Sequence, residues 1–130
     1  MTDRNLIDAA ADAMANSYSP YSMFKVGAAV ECADGSVFVG CNIENAAYGA
    51  TMCAEAVALS SAVAAGHREF ARIAIISEGS EYCFPCGTCR QLLGEFSRNV
   101  DTEILSVRAD GRYVSYPLSK LLPMAFSLTP

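Results

Sequence analysis

Residues 53–89 read CAEAVALSSAVAAGHREFARIAIISEGSEYCFPCGTC. The stretch opens on Cys53-Ala54-Glu55 and closes on Pro85-Cys86-Gly87-Thr88-Cys89. Residues 53–65 carry Ala, Val and Leu on nearly all sides, the pattern of a buried helix, and Gly66 ends it. Residues 73–77 form a short apolar strand. A helix of roughly 14 residues advances about 21 Å, and a strand of roughly 6 residues returns about 20 Å. The chain that leaves Cys53 along the helix therefore comes back to the same end at Pro85. The two cysteine motifs meet at two helix N-termini, beside the carboxyl end of a strand, where open α/β sheets place their ligands.

Three thiols and one carboxylate in that corner make a zinc site with one position left open. Structural zinc sites close with four protein ligands, whereas catalytic ones offer three and leave a place for water. Cys53, Cys86 and Cys89 are the expected ligands of one zinc ion per chain. Helix N-termini favour anions and lower thiol pKa values, and three thiolates with a zinc dication still sum to −1. Water beside such an ion becomes acidic near neutrality. Glu55, in the first helical turn, reaches the same cavity and can pass a proton from that water to a substrate. The combination suits hydrolytic loss of ammonia from an amidine-like carbon.

Cys-x-x-Cys alone would equally suit a redox dithiol, and Cys-Ala-Glu alone says almost nothing. It is the pairing, with Pro before Cys-x-x-Cys and at this separation, that points to the metal. Cys32, Cys41 and Cys83 read as small buried hydrophobes, since a fourth thiol from Cys83 would close the site to water. His67, just after Gly66, reads as a surface residue or a partner of the helix dipole.

Outward from this core, residues 3–18 form an amphipathic helix with Leu6, Ala9, Ala10, Ala13, Met14 and Ser17 on one face. Thr2 or Asp3 caps it, and Ser19-Pro20 stops it. Strands at 24–32 and 36–43 flank the turn Ala33-Asp34-Gly35, and a polar loop covers 44–52. A third helix opens at the Pro85 corner and runs through Phe96, with Leu92 and Leu93 inward. Strands at 103–107 and 112–116 surround Ala109-Asp110-Gly111, and a last helical turn at 119–122 stops at Pro123. The order α-β-β-α-β-α-β-β predicts an α/β fold, a mixed five-stranded sheet covered by helices, in a single domain over 1–130.

Of the 130 residues, 52% are hydrophobic and only 18% charged, which suggests apolar surface hidden against another subunit. The net charge of −5 and the absence of any Lys/Arg run argue against a nucleic-acid polymer and favour a small molecule. There is neither a signal-like N-terminus nor a run of 18 apolar residues, so no membrane partner is expected. A cytoplasmic location follows, in which six cysteines stay reduced.

From Ser19 to Glu95 the sequence resembles the small, homotetrameric, zinc-dependent cytidine deaminases of nucleoside salvage. The resemblance rests on Ser19-Pro20-Tyr21-Ser22-x-Phe24-x-Val26-Gly27-Ala28-Ala29 and on Gly40-Cys41-Asn42-Ile43-Glu44-Asn45-Ala46-Ala47-Tyr48. It continues through Cys53-Ala54-Glu55 and Pro85-Cys86-Gly87-Thr88-Cys89-Arg90-Gln91, with a closing segment at Leu121-Leu122-Pro123-Met124-Ala125-Phe126. It implies a three-layer α-β-α fold and hydrolytic deamination of cytidine and 2′-deoxycytidine by zinc-activated water. Asn42 and Glu44 would bind the ribose 3′-hydroxyl; being two apart on an extended segment, they point to one side. Phe24 would pack near the pyrimidine, and the Ala54 backbone would meet the pyrimidine edge. Tyr48 and Phe126 would be offered to a neighbouring subunit's site, so that the homotetramer shares its active sites.

One position departs from the family pattern. Ala56 follows Glu55 where the family commonly has an arginine that donates to the zinc-binding sulfurs. That opens a competing reading, the same chemistry on another aminated nucleoside or a nucleoside antibiotic. A second competitor is a non-catalytic structural zinc module, which would have no need of Glu55. Taken singly, Phe24 and Phe126 also fit ordinary core, Tyr48 an interface filler, Asn42 a turn residue and Glu44 a capping group.

Overall fold

Alternation along the strands sorts the apolar side chains onto two faces of one sheet. In the computed structural model, which describes residues 1–128, the elements run in a single order. They are α1 (Asp3–Met14), β1 (Val26–Cys32), β2 (Val37–Cys41), a 3-10 turn (Tyr48–Ala50), α2 (Ala54–Ala64), β3 (Phe70–Ser77), α3 (Gly87–Gly94), β4 (Glu103–Val107), β5 (Tyr113–Pro117) and α4 (Leu118–Leu121). The strands lie in the order β2-β1-β3-β4-β5. Only β3 and β4 run parallel; the other neighbours are antiparallel. The sheet is therefore mixed and five-stranded, as expected.

Ala28, Val30, Ile73, Ile75 and Ile104 pack with Ala54, Ala58 and Leu59 of α2 and Leu93 of α3. Ala29, Ala74, Ile76, Leu105 and Val107 pack instead with Leu6, Ile7 and Ala10 of α1. The result is three layers, α1 on one face of the sheet and α2 with α3 on the other. Two glycines let the helices approach so closely. A Cβ on Gly27 would lie 2.1 Å from the Ala10 carbonyl oxygen of α1, and one on Gly40 would lie 2.5 Å from both Ala54 O and Ala58 N of α2. Glycine inside a strand commonly marks such an approach of another backbone.

The element boundaries moved where tertiary hydrogen bonds compete with local periodicity. The first helix ends at Met14 rather than 18, because Tyr18 N donates to Asn42 O at 3.1 Å and Glu44 N to Tyr18 O at 2.8 Å. Thr2 is its cap, its side chain accepting from Asn5 N at 3.1 Å. β3 begins at Phe70, three residues before 73, because Phe70 pairs with Cys32 across the sheet. The third helix stops at Gly94, and a 3-10 turn lies in the loop read as irregular.

Candidate active site

Cys53 and Cys86 occupy equivalent places, each the extended N-cap residue of a helix, α2 and α3 respectively. Their carbonyls accept the first helical bonds, from Val57 N at 3.1 Å and Arg90 N at 2.9 Å. Neither thiol caps its own helix, so both sulfurs are free to face a common point. Cys89 stands in the first turn of α3 and is buried. The three sulfurs lie within 4.8 Å of one another, with Cys53 Sγ and Cys86 Sγ 4.0 Å apart. Thiolates about 2.3 Å from a tetrahedral zinc stand about 3.8 Å apart. The donor set and its spacing therefore fit zinc, and two helix N-termini add favourable potential for three thiolates.

The protons are unevenly shared even before a metal is considered. Cys53 is lowered to about 6, because Cys89 and then Cys86 donate to its sulfur while burial opposes the shift. Cys89 is raised, chiefly as the donor to Cys53 and then by burial. Glu55, in the first turn of α2, is only 6% exposed. Burial pushes its carboxyl up to about 7, its own backbone hydrogen bond pulls the other way, and the Cys53 charge adds to the rise. A carboxyl so poised can both hold and release a proton near neutrality. Cys83 is pushed up to about 11 by burial and by the Glu55 charge, against a hydrogen bond with Ser77. It remains a thiol, packed against the core and outside the three-sulfur group.

Chain pairing brings the second motif to this corner. Ile43 and Met52 exchange backbone hydrogen bonds at 2.9 Å each, so the residue before Cys53 is pinned beside the 42–44 segment. Within that segment Asn42 is heavily engaged. Its Oδ1 accepts from Ser17 Oγ and, at 2.9 Å, from Val26 N, and its Nδ2 donates to Phe24 O at 2.8 Å. Of the four hydrogen bonds an amide can form, one N–H remains. Glu44 is buried, and its Oε1 accepts from Tyr21 N at 2.9 Å and Ser22 N at 3.1 Å while Oε2 accepts from Ser22 Oγ. Both side chains thus clasp the 17–24 loop that carries Phe24. Ser17, expected on the face of the first helix, lies beyond its end and bonds Asn42 instead, and Ser22 bonds Glu44.

Phe24 is 38% exposed and lines a cleft of about 460 Å³ with Ser77, Gly79, Cys83 and Phe84. Ala54 is fully buried as the first residue of α2. Tyr48 is 83% exposed and borders a shallow cleft with Tyr21, Ser22 and Glu44. Phe126 is 70% exposed, its carbonyl accepting from Gln91 Nε2 at 3.1 Å. Arg90 donates to Pro85 O and Leu121 O, both at 2.8 Å, fastening the cysteine corner to α4. It therefore braces the corner through backbone carbonyls, and Ala56 supplies no side-chain donor.

The Ser22 hydroxyl, then the Ser22 amide and the Tyr21 amide, hold Glu44 below its ordinary 4.5. A depressed carboxyl contributes stability that is present above the ordinary value and lost as pH falls through the folded one. Urea unfolding of Glu44→Gln across pH should show a gap to the parent that is constant from neutrality to about pH 5 and closes below it. A gap that persists undiminished into acid would mean these bonds do not favour the charged form.

Residues 1–103 match the family model described as the cytidine and deoxycytidylate deaminase zinc-binding region. A cytidine deaminase of Halalkalibacterium halodurans is 42% identical over 98% of this chain and 96% of its own length. The crystal structure of a cytidine deaminase from Burkholderia pseudomallei superposes with a TM-score of 0.92 at 46% identity, covering 97% of this chain and all of that one. A blasticidin-S deaminase of Bacillus cereus is more distant, 25% identical over 96% of this chain and 92% of its own.

Proposed function

Because the chain belongs to the cytidine and deoxycytidylate deaminase zinc-binding family, we propose that it hydrolyses cytidine and 2′-deoxycytidine to uridine and 2′-deoxyuridine with release of ammonia, in pyrimidine salvage. The observation that carries this is the three-sulfur cluster with the buried carboxyl of Glu55 beside it. Identity of 42% to a cytidine deaminase against 25% to a blasticidin-S deaminase favours cytidine as substrate.

Cys53, Cys86 and Cys89 would hold the zinc, which when bound would supply Lewis-acid activation of water at neutral pH. Glu55 carries the protons. It accepts one from the attacking water and delivers it to N3 of the pyrimidine; a second proton passes to the amino group leaving C4. The C4–O bond forms first, as C4=N3 opens and N3 takes its proton, and the C4–N bond breaks afterwards as C4=O forms, so water and cytidine become uridine and ammonia. Phe24 packs against the ring from the Ser77–Phe84 cleft, and the Ala54 backbone meets the pyrimidine edge. Asn42 offers its remaining N–H and Glu44 its carboxylate to the ribose 3′-hydroxyl.

The chain works as a homotetramer in a reducing cytoplasm. Support comes from large exposed apolar side chains, Tyr48, Met124 and Phe126 among them, and from six cysteines none of which is in a disulfide. Tyr48 and Phe126 reach a neighbour's site. No helix among the described residues is long and apolar enough to cross a membrane.

Zinc content and cytidine turnover measured on one desalted sample test the reading. One tightly held zinc per chain with ammonia release is expected. No turnover of cytidine by zinc-loaded protein would end it, and turnover that survives complete chelation would end the metal's part in it.

A further inference from the structure

At the end of the sheet away from the three sulfurs, the β1–β2 turn meets the connection from α2 to β3. The length of β1, about 20 Å, separates this place from the catalytic corner. Here Cys32, Asp34 and His67 bring one sulfur, one carboxylate oxygen and one imidazole nitrogen within 4.8 Å of one another.

Each of the three is set in place by groups outside the trio. Cys32 ends β1, its N–H donating to Ser36 O at 2.8 Å, and it is 1% exposed. Its sulfur makes no hydrogen bond among the described residues. Asp34 Oδ1 accepts from Ser36 N at 2.9 Å, which orients the carboxylate and leaves Oδ2 facing His67 Nδ1 at 3.7 Å. His67 donates its backbone N–H to Ala62 O at 3.1 Å, and its ring lies tilted against Phe38 with centroids 5.4 Å apart. A gap of 3.7 Å is too long for a hydrogen bond, so imidazole and carboxylate are not satisfied by each other. It is close to the spacing of two ligands on one tetrahedral ion, about 3.4 Å for bonds of about 2.0–2.1 Å.

We propose that Cys32, Asp34 and His67 form a second divalent-metal site, of the zinc class, that ties the β1–β2 turn to the α2–β3 connection. A mixed sulfur, nitrogen and oxygen set selects zinc or a neighbouring transition metal over magnesium or calcium. A thiolate, a carboxylate, a neutral imidazole and a dication sum to zero charge, so no further counter-ion is needed. On binding, the Cys32 thiol releases its proton to solvent and its sulfur bonds the metal. A cleft of about 550 Å³ reaches Asp34 and His67, with Arg68, Glu69 and Arg98 also in its lining; Cys32 is buried and is not part of that lining. The Arg68 guanidinium there is bonded to the Val63 and His67 carbonyls at 2.9 Å each.

Protein already carrying one zinc is dialysed against zinc sulfate at neutral pH, and bound metal is counted. The parent should take up a second equivalent, while Asp34→Asn and His67→Gln should each stop at one with cytidine turnover unchanged. Cobalt supplied as the second equivalent should add a thiolate-to-metal absorption band that is missing in Cys32→Ala. The surface variants decide the matter even where the buried cysteine variant folds poorly. A parent that stops at one equivalent overturns the proposal. So does a second equivalent that survives in both surface variants, or one that arrives without the thiolate band.

Discussion

Glu55→Gln is expected to lower kcat on cytidine by about 10³- to 10⁴-fold while zinc stays at one per chain. The substitution keeps the size of the side chain and an acceptor oxygen for its neighbours, including Cys89. It removes the capacity to take up and hand over a proton. Glu55 is the buried titratable group next to the three sulfurs that burial tunes to about 7, where transfer in both directions is easy. No other carboxyl is placed in this corner by the 53–55 and 85–89 motifs. Metal analysis on the same variant separates the alternatives. Retained zinc with turnover near the parent's would remove Glu55 from the chemistry, and lost zinc would make it a structural support of the site.

The second large effect lies in the backbone beneath the cysteine corner. Gly40→Ala should destabilise the protein by about 3 kcal/mol, at the upper end for overpacking, because the atoms in the way are main chain and cannot rotate aside. The added methyl would stand 2.5 Å from Ala54 O and Ala58 N, in the first two turns of the helix that Cys53 caps. Relief requires α2 to move, and Cys53 and Glu55 move with it. Zinc affinity and turnover should therefore fall together with stability. Gly27→Ala is the control: its methyl would strike Ala10 and Met14 of α1, on the other face of the sheet. It should cost similar stability in urea and leave the zinc of the folded protein in place. Equal zinc loss in both variants would show that the damage is global and not routed through α2.

These two glycines show what was and was not legible in the chain. The meeting of Cys53, Cys86 and Cys89 beside Glu55 was legible because their separation matches one helix out and one strand back. The order of elements along the chain, and a mixed five-stranded sheet, followed from periodicity and turn signals. What escaped was side-chain work between segments distant in sequence. Ser17 and Ser22 are ordinary loop residues until Asn42 and Glu44 are brought to them. For the same reason Asn42 and Glu44, read as ribose ligands, are also clasps of the Phe24 loop. The helix read to residue 18 stops at Met14 because Tyr18 bonds a segment some 25 residues later. Cys32 is buried as expected, but a turn and a helix end carry no signal that it will meet Asp34 and His67.

The cysteine corner is divided between two helices of unequal anchorage, which sets how a bound ion would be released. α2 is buried along Ala54, Glu55, Ala58, Leu59 and Ala62, whereas α3 buries only Cys89 and Leu93. Sub-global opening starts where burial is least, so α3 is expected to open before α2, and it carries two of the three sulfurs. What restrains it is the far end of the chain, Arg90 on the Leu121 carbonyl and Gln91 on the Phe126 carbonyl. Residence time of a bound metal, and amide exchange along residues 87–94, should therefore depend on residues 118–126, none of which belongs to the three-sulfur group.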